Sequence, residues 1–222
     1  MTKSSNGPAV QIATTHAELV EIERFRYSVY IDEMHKPLPW ANHVERRLPD
    51  ADDHDALHTY IREDADVVAC ARLHIGRVPE VAMLQLGIAG IVSDLPSPVF
   101  FMSKLMVGTT LRGSIHARAL MAQQFEYAVQ RGGLVGFCTC RPELVQYYRR
   151  VGLFRFGEPF VDEYVGRQIP LVILNDAVHF DRAGSHLASI AREHPGDAAS
   201  LLSLQHEFLV KRHPLRELRE AA

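Results

Sequence analysis

Residues 104–121, Lys-Leu-Met-Val-Gly-Thr-Thr-Leu-Arg-Gly-Ser-Ile-His-Ala-Arg-Ala-Leu-Met, run from an apolar strand through a glycine turn into an amphipathic helix. The opening amides of a helix have no partner within it and carry partial positive charge, so a phosphate can rest against Arg112, Gly113 and Ser114. The chemistry suggested is the binding of a phosphate-tailed carrier. Other polar clusters carry less. Cys138-Thr-Cys140 alternates along a strand with no second cysteine pair, so no metal site is expected. His54 and His58 lie four apart, a spacing that aligns side chains only on a helix, whereas this segment enters a strand. His58 reads as a sheet or site-lining residue. Asp50, Asp52, Asp53 and Asp55 lack the glycine and terminal glutamate of a calcium loop and read either as a solvated turn or as groups that attract an amine.

Regular elements must position these groups. Val10 to Thr14 can form a first strand, and Thr15-His-Ala-Glu18 is a capping box opening a helix with apolar residues at 19, 22, 25, 29 and 30. Pro37, Pro39, Pro49 and an acidic run make 35–55 a long loop, a kind of segment that is often functional. Strands are expected at 56–62 and 67–75, joined by a hairpin at Glu63-Asp-Ala-Asp66. The stretch 81–95 reads as a short helix and turn. A strong strand at 99–107, a helix at 113–131 ending at Gly132-Gly133, and a buried strand at 134–140 follow. Pro142 suits the first turn of a helix over 142–150, and Gly152 its stop. Strands at 154–156 and 168–174 complete a mixed sheet. Residues 176–220 are expected to be helical, broken at His194-Pro-Gly196, and to pack on the core or on a second copy as a homodimer.

With 222 residues the chain fits one domain with an appendage: a flexible N-terminus over 1–8, a core domain over 9–175 and a helical extension over 176–222. No transmembrane span or signal core is visible, so a cytoplasmic location without integral membrane contact is expected. Three cysteines without an export signal read as reduced thiols. A net charge of −3 excludes the basic footprint of a nucleic-acid binder. Arg131, Arg141, Arg149, Arg150, Arg155 and Arg167 nevertheless crowd the second half, as an ordinary solvated face or as a surface for an acidic partner.

The glycine turn, together with Tyr147-Tyr-Arg-Arg-Val-Gly-Leu-Phe154, resembles the GCN5-related N-acyltransferase (GNAT) superfamily. That resemblance implies an α/β (α+β) fold, a mixed central sheet of about seven strands flanked by helices. It also implies an acyl-donor site at Leu105, Met106, Val107, Arg112, Gly113, Ser114 and Ala117. The superfamily's loop reads Arg/Gln-X-X-Gly-X-Gly/Ala, and Ile115 stands here where its second glycine belongs. A β-branched residue there restricts close backbone approach, which leans toward the single phosphodiester of an acyl carrier protein rather than the pyrophosphate of coenzyme A. Tyr148 matches the tyrosine that protonates the departing thiolate. Amides near Met106 and Val107 are the implied oxyanion donors.

Arg26-Tyr-Ser-Val-Tyr30-Ile-Asp-Glu33-Met34, Asp50-Ala-Asp-Asp53, His58 and Ala71-Arg72-Leu73 look like the long-chain N-acyl amino acid synthases and their relatives, the acyl-homoserine-lactone synthases. The resemblance spans about residues 20–180. It implies that Arg26, Tyr30, Asp50, Asp53 and Arg72 surround the acceptor amine, with Lys104 as a further cation for its carboxylate. Asp50, Asp53 or Glu33 would draw off the ammonium proton through water. Where the lactone synthases carry Glu-X-Ser-Arg, this chain has Phe101-Met-Ser103-Lys104, which ranks lactone synthesis low. The expected activity is transfer of a medium or long fatty acyl group from acyl carrier protein or acyl-coenzyme A, as co-substrate and with no bound cofactor, to an amino acid. A conventional acetyl-coenzyme A-dependent acetyltransferase and an inactive acyl-binding module are the alternatives.

Overall fold

The computed structural model describes residues 7–95 and 98–211. Most of the expected flexible N-terminus, residues 1–6, and the end of the expected helical extension, 212–222, lie outside the described residues. Eight strands form one mixed, mostly antiparallel sheet flanked by helices, one strand more than expected. The described residues divide into two compact units, 7–74 with 102–124, and 75–95 and 98–101 with 125–211.

In the first unit, β1 (Val10–Ile12) pairs antiparallel with β2 (Leu57–Glu63), which pairs with β3 (Asp66–Ile75) through the predicted hairpin. β4 (Val99–Val107) follows β3 in strand order, and its residues from Met102 onward belong here. The capping box opens α1 (His16–Tyr27): the Glu18 amide donates to Thr15 Oγ1 at 3.2 Å and the Thr15 amide to Glu18 Oε2 at 2.9 Å. The periodic apolar face continues past α1 into a π-helical segment, Ser28–Glu33, whose widened turn no simple helical period predicts. Ile22, Val29, Tyr60, Cys70 and Met106 form one buried cluster. Ile61, Ala69, Ala71 and Leu120 form another, the last from α3 (Ile115–Val129).

In the second unit, the start of β4 pairs parallel with β5 (Val135–Cys140) over three residue pairs, Val99–Phe101 against Val135–Phe137. β5 pairs antiparallel with β8 (Gly166–Leu174), which also pairs with β6 (Phe154–Arg155) and with β7 (Phe160–Asp162). β7 is the strand not expected; its three residues turn back on Gly166–Gln168 around an Asp162 carboxylate that accepts the Tyr164 and Val165 amides at 2.9 Å. The remaining helices are α2 (Glu80–Gln85), α4 (Val145–Val151), α5 (Ala177–Ala183), α6 (Ala188–Glu193) and α7 (Ala198–Gln205). Phe137, Phe156 and Phe208 form a three-ring cluster, with Phe137 5.5 and 5.3 Å from the other two ring centroids. Such pairs add about 0.5–1.5 kcal/mol each beyond area burial. From the C-terminal extension, Leu204 and Phe208 belong to the same buried cluster as residues of β5 and β8.

Candidate functional site

The first unit gathers charged side chains where its sheet is otherwise apolar. α1 contributes Arg26, β3 contributes Arg72, and β4 contributes Ser103 and Lys104. A short 3₁₀ turn, Ala51–Asp53, supplies the acidic side. Its N-cap, Asp50, accepts the Asp52 amide at 3.0 Å, which fixes the carboxylate's direction.

Asp53 is clamped from two sides. Arg26 Nη1 donates to its Oδ2 at 2.7 Å and Arg72 Nη1 to its Oδ1 at 3.0 Å. The same Arg72 Nη1 lies 2.9 Å from Asp50 Oδ1, Arg72 Nε donates to Ser103 Oγ at 3.0 Å, and Lys104 Nζ reaches Asp50 Oδ2 at 2.8 Å. Lys104 Nζ also stands 5.6 Å from the centroid of the Tyr30 ring, within cation–π range. Burial pushes the Asp50 carboxyl up, but Lys104 and Arg72 outweigh it and hold the group well below the ordinary carboxylate range.

Counted over these direct ion pairs, three cations face two carboxylates, one positive charge in excess. Two neighbouring groups leave that balance unaltered: burial keeps the Cys70 thiol protonated, and burial lowers the affinity of His58 for a second proton. Arg26 has no exposed surface, whereas the Lys104 side chain is 17% exposed. The cation that meets solvent is therefore Lys104, with Arg26 behind Asp53. Lys104 also has φ of +54°, a left-handed conformation within an extended strand. Such a break costs about 1–3 kcal/mol in a non-glycine residue and re-aims the side chain it carries.

Two histidines pin the acidic turn from the sheet. His58 Nε2 meets the Asp53 carbonyl at 3.0 Å and His74 Nε2 the Asp52 carbonyl at 2.9 Å. Sequence reasoning read His58 as a sheet or site-lining residue and gave His74 no role. The signal available was the presence of His58, Arg72 and His74 inside strands that are otherwise apolar on the buried face.

On the donor side, Gly113 adopts φ of +79°, as a turn into α3 requires. Arg112 pairs with Glu33, which also accepts the Thr109 hydroxyl at 2.7 Å. A residue read as a phosphate contact and one read as a base thus hold each other. Ser114 Oγ lies 2.7 Å from His116 Nδ1, whose Nε2 lies 3.0 Å from Glu63 Oε1. Ile115 is half exposed and Ala117 half-buried. Met106 belongs to the cluster of Ile22 and Tyr60, and Leu105 and Val107 pack against the cluster of Ile61, Ala69, Ala71 and Leu120.

In the second unit Tyr148 is buried on α4, its ring edge-on to Tyr147 at 5.3 Å. The helix stops at Gly152 with φ of +105°, where the amides of Gly152 and Leu153 both donate to the Tyr148 carbonyl. Arg131, Arg141, Arg149, Arg150 and Arg167 are exposed and Arg155 is half-buried. Among the described residues no group of three or more His, Cys, Asp or Glu could hold a metal, and no helix is long and apolar enough to cross a membrane.

No family model matches the chain, and no curated protein matches it in sequence. Solved structures do match. The coenzyme A-dependent acyl-homoserine lactone synthase BjaI, solved with SAM and isopentyl-CoA, is 17% identical, with 84% of this chain and 98% of that one covered at a TM-score of 0.61. TofI, solved in a ternary complex with an inhibitor and MTA, is 21% identical over 81% and 98% at 0.63. FeeM, an N-acyl amino acid synthase from uncultured soil microbes, is 12% identical over 82% and 96% at 0.61. The chain therefore has a GNAT-like acyltransferase fold, the fold it shares with the acyl-homoserine lactone synthase BjaI, with TofI and with the N-acyl amino acid synthase FeeM.

Proposed function

We propose that this chain is an N-acyltransferase that moves a medium or long fatty acyl group from an acyl carrier protein or coenzyme A thioester to the α-amine of an amino acid. The observation that carries this reading is the surplus cation. A free amino acid brings one carboxylate and one ammonium; Lys104 and Arg72 suit the first, and the carboxylate of Asp50, 2.8 Å from Lys104, suits the second.

Asp50, held ionised by its two cations, is a poor proton acceptor but a good electrostatic partner. In this mechanism it orients the ammonium, which loses its proton to water before the neutral amine attacks the thioester carbonyl. The tetrahedral oxyanion forms against backbone amides near Met106 and Val107. The adduct's nitrogen gives one proton to water, collapse expels the thiolate, and the resemblance gives Tyr148, re-protonated from solvent, the role of protonating it. The exposed arginines of the second unit support an acidic carrier protein as the donor's bearer.

The test is mass spectrometry of organic extracts from bacteria expressing the chain, beside Arg72→Ala and Lys104→Met controls. New N-acylated amino acids that disappear in both controls are the expected result. Soluble wild-type protein yielding no new lipid, and no product from purified protein with acyl carrier protein, acyl-coenzyme A and an amino acid mixture, would overturn the reading.

A further inference from the structure

The ring of His58 stands inside the charge network without belonging to its ion-pair count. Arg26 Nη2 lies 3.0 Å from His58 Nδ1. A guanidinium offers only N–H donors and keeps its charge, so Nδ1 must present its lone pair. The one ring proton then sits on Nε2 and is donated to the Asp53 carbonyl at 3.0 Å. Arg26, Asp53 and His58 close a triangle, because Arg26 Nη1 holds the Asp53 carboxylate at 2.7 Å. Arg26 has no exposed surface and His58 is 5% exposed, so the triangle is buried.

We propose that His58 is a positioning residue of the acceptor site, and that a second proton on its ring disables that site by forcing Arg26 off Asp53. The proposal rests on the acceptor reading above. The charged groups facing the ring are Arg26 from α1, Asp53 from the 3₁₀ turn, with Oδ1 3.8 Å from Nε2, and Arg72, the cross-strand partner of His58 on β3. Two cations and one carboxylate already shared between them give an imidazolium no counter-ion of its own. Its new Nδ1–H would point at an N–H of Arg26, donor against donor and cation against cation. Burial first, with Arg26 and Arg72, therefore holds the ring's affinity for that proton below the ordinary value of 6.5. Displacing Arg26 frees one side of Asp53, whose other side carries Arg72, and Arg72 is tied in turn to Asp50 and Ser103. The disturbance thus reaches the groups assigned to the amino acid.

The experiment compares wild type with His58→Gln. The glutamine amide can accept from Arg26 with its oxygen and donate to the Asp53 carbonyl with its nitrogen, and it does not titrate. In wild type, acceptor KM is expected to rise about tenfold per pH unit once the neutral form becomes the minor one, since apparent affinity scales with the competent fraction. In His58→Gln that rise is absent. The same acid-side rise in both proteins would overturn the proposal.

A second readout needs no catalysis and no variant: ¹⁵N NMR of the ring in the ligand-free wild-type protein. The expected signature is the Nε2–H tautomer at neutral pH with a titration midpoint below 6.5. An Nδ1–H tautomer, or a charged ring at pH 7, would overturn the proposal whatever the enzyme does. If the tautomer is found and acid loosens the fold in wild type but not in His58→Gln, while no amino acid is acylated, the switch stands and the acceptor assignment fails.

Discussion

Lys104 Nζ lies 2.8 Å from Asp50 Oδ2, joining a strand residue in a left-handed backbone conformation to the cap of the acidic turn. This pair is the part of the charge network that meets solvent. Replacing Lys104 by Met keeps most of the side-chain volume and removes the surplus charge. Loss of a charge-assisted hydrogen bond to the acceptor is worth about 1.5–3 kcal/mol, so acceptor KM should rise roughly 10–150-fold. Donor KM should hardly change. Steady-state kinetics with each substrate varied in turn separates the two.

Removing one member of a buried pair has a different signature. Asp53→Asn leaves Arg26, wholly buried, without its carboxylate. Breaking such a pair costs about 3–5 kcal/mol because the remaining charge is uncompensated. Urea unfolding should show that loss, whereas Lys104→Met should change stability far less, its side chain being partly solvated.

Acid should weaken the fold in a defined order. Glu18 accepts the Thr14 amide, the Tyr60 hydroxyl and the Thr15 hydroxyl and amide, which lower its pKa from 4.5 to about 2. A depressed carboxylate contributes stability that is full above its unfolded value and disappears as pH falls through the folded one. The Glu18 contribution should therefore decline between pH 4.5 and about 2, and the carboxyl ¹³C resonance should titrate near the lower figure. In Glu18→Gln, stability should fall less steeply across that window.

The three thiols should be inert in the native state. Cys70, Cys138 and Cys140 are buried; burial raises the first two above the ordinary thiol range and, with Glu143 adding repulsion, pushes Cys140 up to about 12. Reaction needs thiolate and access. Titration with an aromatic disulfide reagent should find no reactive thiol in native protein and three after unfolding.

Gly152 combines a left-handed backbone with a lack of room for a side chain. Its φ is +105°, and a Cβ there would lie 2.5 Å from Phe180 Cδ1. Left-handed strain and overpacking together should make Gly152→Ala cost about 2–4 kcal/mol. Thermal denaturation would register it.

What the sequence by itself determined was local. The Thr15–Glu18 box, the Glu63–Asp66 hairpin, the strand at 99–107 and the glycine stop at 152 are set by hydrogen bonds and steric rules acting within a few residues. They were legible for that reason, and ordered polar residues such as Arg26, Asp50, Asp53 and Arg72 could be named from the resemblance they carried. Their pairing could not. Arg26 and Asp53 are 27 positions apart and Arg72 and Ser103 are 31 apart. Only the folded sheet brings them within hydrogen-bond reach. Tertiary structure alone decided that Arg26 is buried while Lys104 meets solvent, that Glu33 is held by Arg112, that His58 has a single allowed tautomer, and that β7 forms at all. Each depends on which groups burial deprives of water and which partners remain to replace it, a property of three-dimensional neighbours that no spacing along the chain encodes.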